Sequence, residues 1–147
     1  MVSRHRWPDH GLAMLAIAFA GACGNPTGLC DAANGIVGQW SYQATQESPA
    51  RGTVSGTLVL VSQNCVDFQG VLDVVETLAT GESRRLAGPV SGTVVDAELV
   101  HFEASLGSFT REHLARLEGD SLAGSWVASS GTVPGAGQFG GRRQVVP

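Results

Sequence analysis

From Ile36 onward the chain alternates apolar and polar residues with a period of two, interrupted by clusters of Gly, Pro, Asn, Asp and Ser. That period sends successive side chains to opposite faces of an extended strand, so it predicts strands and no helix. The first strand, about 36–46, sets Ile36, Gly38, Trp40 and Tyr42 against Val37, Gln39 and Ser41. After a turn over 47–52, a second strand at about 53–62 places Val54, Gly56, Leu58 and Leu60 on one face. A third, about 65–77, alternates Val66, Phe68, Gly70, Leu72 and Val74 with Asp67, Gln69 and Asp73. The fourth, about 83–91, carries Leu86, Gly88 and Val90, and a short connection near Ser91-Gly92 leads to a fifth at about 93–104. The sixth follows Leu106-Gly107 and ends at Gly119-Asp120. The seventh, about 121–129, aligns Leu122, Gly124, Trp126 and Ala128, and the eighth, about 136–146, contains Gly137, Phe139, Gly141 and Arg143.

Eight strands joined by short turns predict an all-β fold, an eight-stranded antiparallel up-and-down barrel that closes on itself and leaves no edge strand. An open sandwich is the alternative, but no connection is long enough for a Greek-key crossover. The fifth and sixth strands test the register. Pairing them around Leu106-Gly107 puts Val100, Phe102 and Ala104 on the face of Phe109, His113, Ala115 and Leu117, with His101 and Glu103 opposite, beside Thr110, Glu112 and Arg116. One face is then apolar and the other polar, and His101 meets Glu112 as an ordinary cross-strand contact. A half-step slip would set His101 against His113 near Glu103, a start for a divalent-metal site. It would also set Phe102 and Val100 beside Glu112 and Thr110, so the expectation is no metal.

Residues 1–22 change the picture of location. Arg4, His5 and Arg6 precede an uncharged run, 11–22, which is too short for the roughly 20 residues of a membrane-spanning helix and has the form of a signal peptide. It ends in Ala20-Gly21-Ala22-Cys23, which resembles the lipobox of bacterial lipoproteins, with Ala20 where a Leu is usual. That resemblance implies lipidation of Cys23 and anchoring in the bacterial cell envelope, on the periplasmic or surface side. The same small residues also suit ordinary signal-peptide cleavage and secretion. The division expected is thus a signal peptide at 1–22, a lipidated tether at 23–35 and a barrel domain at 36–147. Cys23 as the lipid site accounts for an odd count of three cysteines and leaves Cys30 and Cys65 to form a disulfide in an oxidising compartment, the alternative being two unrelated buried thiols.

Charge excludes one class of partner. The net charge is −4, and all nine basic residues are Arg, with no basic stripe to neutralise phosphates. Nucleic acid is therefore not an expected partner. Nor is an enzyme expected. Ser55-Gly56, Ser91-Gly92 and Ser130-Gly131 lack the surroundings of a nucleophile elbow, and Gly135-Ala136-Gly137 precedes a strand where a phosphate loop would need a helix. No catalytic residue and no cofactor is assigned.

Gly38-Gln39-Trp40 in the first strand, with Arg142 or Arg143 in the last, resembles calycin-type barrels: lipocalins, fatty-acid-binding proteins and avidins. Arg143, which shares a face with Phe139 where Arg142 shares one with Gln138, is the expected partner. The resemblance implies that Gly38, Trp40 and Arg143 close one end of the barrel, Arg143 packing on the indole and Gly38 leaving room for it. It further implies an interior able to take a small apolar ligand, with Trp40, Tyr42, Phe68, Phe102, Phe109, Trp126 and Phe139 as its lining. The chain departs from lipocalins in its short strands and loops and in having no C-terminal helix, which limits the space inside. Those seven rings could equally fill the barrel as a core, since a domain of this size must bury most of its apolar surface against itself. The barrel would then be a protein-interaction module, an inhibitor or an envelope-assembly factor, using its surface.

Overall fold

The protein, described here by a computed structural model, is resolved into elements over residues 35–62, 64–130 and 135–145. The expected signal peptide, Cys23, most of the expected tether and Cys30 lie outside these described residues. Eight strands follow in order: β1 Gly38–Ser48, β2 Gly52–Ser62, β3 Asp67–Leu78, β4 Ser83–Val94, β5 Leu99–Leu106, β6 Phe109–Glu118, β7 Ser121–Ser130 and β8 Ala136–Arg143. Each pairs antiparallel with the next, and β8 returns to β1 with Trp40 opposite Arg143 and Ala44 opposite Phe139, closing the barrel. The fold class expected from the alternation is the one observed.

Inward positions carry the core. Trp40, Tyr42, Leu58, Phe68, Leu72, Phe102, Ala104, Leu122 and Trp126 are buried. Outward, Asp73 and Arg85 pair across β3 and β4, and Glu103 faces Glu112 across β5 and β6. A wall bearing such charges faces water, because a lipid-facing barrel carries an apolar band there.

Three local expectations are corrected. The first strand begins at Gly38, not Ile36. Gly38 has φ +141°, which turns the chain, so Ile36 tucks beneath the barrel fully buried, and its carbonyl accepts a hydrogen bond from Trp40 Nε1 at 2.9 Å. Ser91-Gly92 is not a connection, since β4 runs through it to Val94 and the turn comes at 95–98. There Asp96 Oδ1 accepts from the backbone N–H groups of Glu98 and Leu99 at 2.9 and 2.8 Å, a side-chain turn of the kind Asp favours. Gly92 is a glycine for packing: a Cβ would stand 2.5 Å from both Phe102 Cβ and Phe68 Cζ. Lastly, β5 and β6 turn at Gly107-Ser108, with Leu106 opposite Phe109, so His101 stands opposite Leu114, two places from the expected register. A two-residue shift preserves every side chain's face.

The inward glycines bend strands. A Cβ at Gly88 would lie 1.7 Å from the Ser105 carbonyl oxygen, and comparably close approaches occur at Gly56, Gly70, Gly124 and Gly137. Neighbouring backbone occupies the space a side chain would take, so these glycines give curvature, the device that lets a small sheet close.

Candidate ligand-binding interior

The floor of the barrel is the end where β1 begins. The Arg143 guanidinium lies 4.4 Å from the centre of the Trp40 ring, in cation–π range. It is held in place by Nε donating to Asp120 at 2.8 Å and by hydrogen bonds to the carbonyls of Val37 and Gly35. A Cβ at Gly38 would stand 2.8 Å from Arg143 Nη1, so the room left by this glycine is used by the arginine and not by the indole.

Above the floor is an aromatic layer. His113 stacks on Phe102 with ring centres 4.3 Å apart, and Phe139 stands edge-on to both. Tyr42 stacks on Phe139 at 5.5 Å, and Phe68 meets Phe102 at 6.3 Å. The Tyr42 hydroxyl and His113 Nε2 share a hydrogen bond of 3.0 Å. Burial, then the nearby Arg111 charge, pushes His113 down to about 3, the Arg111 and Phe102 backbones opposing this in part, so the ring is neutral at physiological pH. Burial likewise raises the Tyr42 phenol above its ordinary range, Arg111 partly offsetting the rise. His113 Nδ1 is buried and makes no hydrogen bond.

The opposite end holds two charged residues that the sequence reading did not assign to either face. Glu76 and Arg111 are 0% and 1% exposed and form an ion pair through Arg111 Nη2. Arg84, half-exposed at the rim, donates through Nε to the other oxygen of Glu76 at 2.6 Å. The Arg111 guanidinium is 4.3 Å from the Trp126 ring and 5.4 Å from Phe109, and that of Arg84 is 5.6 Å from Phe109. Trp126 Nε1 donates to the Thr45 carbonyl at 3.3 Å. Arg111 Nε and Nη1 are buried with no hydrogen-bond partner.

All seven rings expected to line the interior are therefore inside, with Trp40 in the floor, Tyr42, Phe68, Phe102 and Phe139 in the middle, and Phe109 and Trp126 around the upper ion pair. Glu76 and Arg111 were missed although the alternation contains them: each lies two residues from an inward residue, Val74 and His113. Reading charge as exposure concealed them. His101 faces outward and reaches Glu112 diagonally at 2.8 Å, while His113 faces inward, so the two histidines stand on opposite sides of the wall. Among the described residues no group of three or more His, Cys, Asp or Glu side chains is placed to hold a metal. Cys65, just before β3, is not a free thiol.

A shallow concavity of about 650 Å³ lies against the outer wall between β8, β1 and β2, edged by Ser41, Gln43, Thr53, Ser55 and Arg142. It is open to solvent, and its lining also includes the inward residues Ala44, Val54, Leu122 and Phe139.

No family model matches this chain, and no curated protein matches it. Solved structures do. EF1p2_mFAP2b bound to DFHBI superimposes with a TM-score of 0.65 at 14% identity, over 79% of this chain and 99% of that one. A de novo designed fluorescence-activating β-barrel gives 0.60 at 19% identity over 78% and 98%. An S-type phycobiliprotein lyase from Guillardia theta gives 0.54 at 8% identity over 80% and 93%. At these identities the likeness is one of fold: a closed eight-stranded antiparallel barrel.

Proposed function

We propose that this chain is a calycin-like binding barrel of the bacterial cell envelope, anchored by lipid at Cys23, that takes a small, largely apolar ligand into its interior and performs no catalysis. One observation carries the ligand: the barrel keeps polar groups inside it, at His113 and Arg111, with hydrogen-bonding atoms unmet. A core serving only to fill a barrel gains nothing from such groups, because each buried unsatisfied polar atom costs about 1–3 kcal/mol. Aromatic walls with a few convergent polar groups are the usual make-up of a small-molecule site. Barrels of similar fold have been solved with DFHBI bound, which supports the capacity of this architecture for ligands. The envelope location, the lipid and a Cys30–Cys65 bridge rest on the sequence around residues 1–30 and on the engagement of Cys65.

The test is titration of the purified protein with N-phenyl-1-naphthylamine, an uncharged apolar fluorophore. Saturable enhancement at one site, with a rise in melting temperature, is the expected result. A linear, non-saturating response with no thermal shift, given also by its sulfonated analogue 8-anilinonaphthalene-1-sulfonate, would reject the reading.

A second reading has its own support. Val59, Val61 and Val71 are 40–52% exposed on the outer wall, with Val59 opposite Val71 and Val71 opposite the exposed Pro89. Contiguous apolar surface of this sort suits a protein-interaction module. Under that reading Val71→Glu abolishes partner capture while leaving the melting temperature unchanged, and capture that survives the substitution rejects it.

A further inference from the structure

We infer that the interior site selects a planar aromatic monoanion, whose negative group sits on Arg111 at the rim end of the barrel; this rests on the ligand-binding reading above. Two guanidiniums, Arg84 and Arg111, share the single carboxylate of Glu76, so the cluster carries one formal positive charge more than it neutralises. Arg111 is buried and paired with Glu76, but that carboxylate is shared with Arg84, so a second anion at the cluster would be favoured. Glu76 occupies only Nη2, while Nε and Nη1 remain as buried donors without an acceptor. A guanidinium offers donors only, so the group that satisfies it must supply acceptor oxygens, and a carboxylate, sulfonate or phenolate also cancels the surplus charge.

The remaining surroundings set the shape of the ligand. Arg111 lies over the Trp126 ring and beside Phe109, and His113 is two residues along the same strand, on the same face, stacked on Phe102. Flat aromatic surfaces on several sides favour a flat ligand. Tyr42 and His113 bring no competing charge, since both are held neutral by burial. The exposed member of the cluster is Arg84, at the rim, and Gly135 packs its backbone near the Trp126 edge, where a Cβ would lie 3.1 Å from the indole. The protein as a whole is acidic, at −4, so a preference for an anion cannot come from its overall field.

Two fluorophores separate this inference from its parent. 8-Anilinonaphthalene-1-sulfonate differs from N-phenyl-1-naphthylamine in bearing the sulfonate. The expected result is that the sulfonate binds the full-length protein at least about tenfold more tightly, the order that one charge-assisted hydrogen bond contributes. In Arg111→Met that ratio should fall towards one. Arg84→Gln, at the rim and therefore easier to fold, should lower it about threefold or more by removing the surplus charge. Equal affinity for the two fluorophores in the parent protein, or a ratio unmoved in Arg84→Gln, overturns the anion site and means the Arg111 donors hold only water. Failure of both fluorophores to bind overturns the ligand-binding reading itself.

Discussion

His113 shows how much one inward residue sets the chemistry of this barrel. Its imidazole is stacked on Phe102, bonded to the Tyr42 hydroxyl and close to Arg111, and burial with that positive neighbour holds its ionisation near 3 against an ordinary 6.5. The unfolded chain takes up a proton below about pH 6.5, while the folded chain refuses it until about pH 3. Unfolding therefore binds a proton throughout that window, and stability is lost as pH falls, by about 1.4 kcal/mol per pH unit for one group. Urea unfolding followed from pH 6.5 to 4.5 should show this slope, and His113→Gln should flatten it. An unchanged slope in the variant would place the titrating group elsewhere. Alternation alone put His113 indoors, whereas its depressed ionisation comes first from the burial that closure of the barrel completes and then from Arg111, two residues along the same face of β6.

At the scale of the strands, the glycines divide into two kinds. Gly88 sits where β4 bends against β5, and an added methyl would meet the Ser105 carbonyl at 1.7 Å. Gly140 lies on β8, with its nearest neighbour, the Leu122 carbonyl, at an ordinary 3.5 Å. Gly88→Ala should then cost about 1–3 kcal/mol through forced backbone movement. Gly140→Ala should fall within about 0.5 kcal/mol of the parent. Equal effects in chemical denaturation would mean that the close approach at Gly88 is not what shapes β4. In the sequence both are simply glycines in strands. Neither period nor composition distinguishes a bend from a turn, which is why Ser91-Gly92 reads as a connection while β4 passes straight through it. The contact that makes Gly92 necessary, Phe68 and Phe102 closing on it from either side, is between strands.

At the scale of the whole molecule, the tether and the barrel raise separate questions. The described chain begins at the floor, beneath Trp40, where Ile36 is buried, while the expected anchor at Cys23 lies outside the described residues. Cys23→Ala should move the protein from the membrane to the soluble fraction, and non-reducing peptide mapping of the same material should join Cys30 to Cys65. Unaltered membrane partition would refute the anchor, and two free thiols would refute the bridge.

What the sequence determined by itself was the architecture: eight period-two segments with short turns admit few closed arrangements, and the fifth and sixth strands carried their faces correctly even with the register two residues off. It determined as well that Trp40, Phe102 and Trp126 lie inside, because an aromatic on the apolar face of a strand has nowhere else to go. The pairing of Glu76 with Arg111 was decided only by tertiary structure. Glu76 and Arg111 are 35 residues apart in the chain, and the cost of burying either charge alone disappears only when closure of the barrel brings the two together. The unmet donors that point to a ligand arise from that same closure.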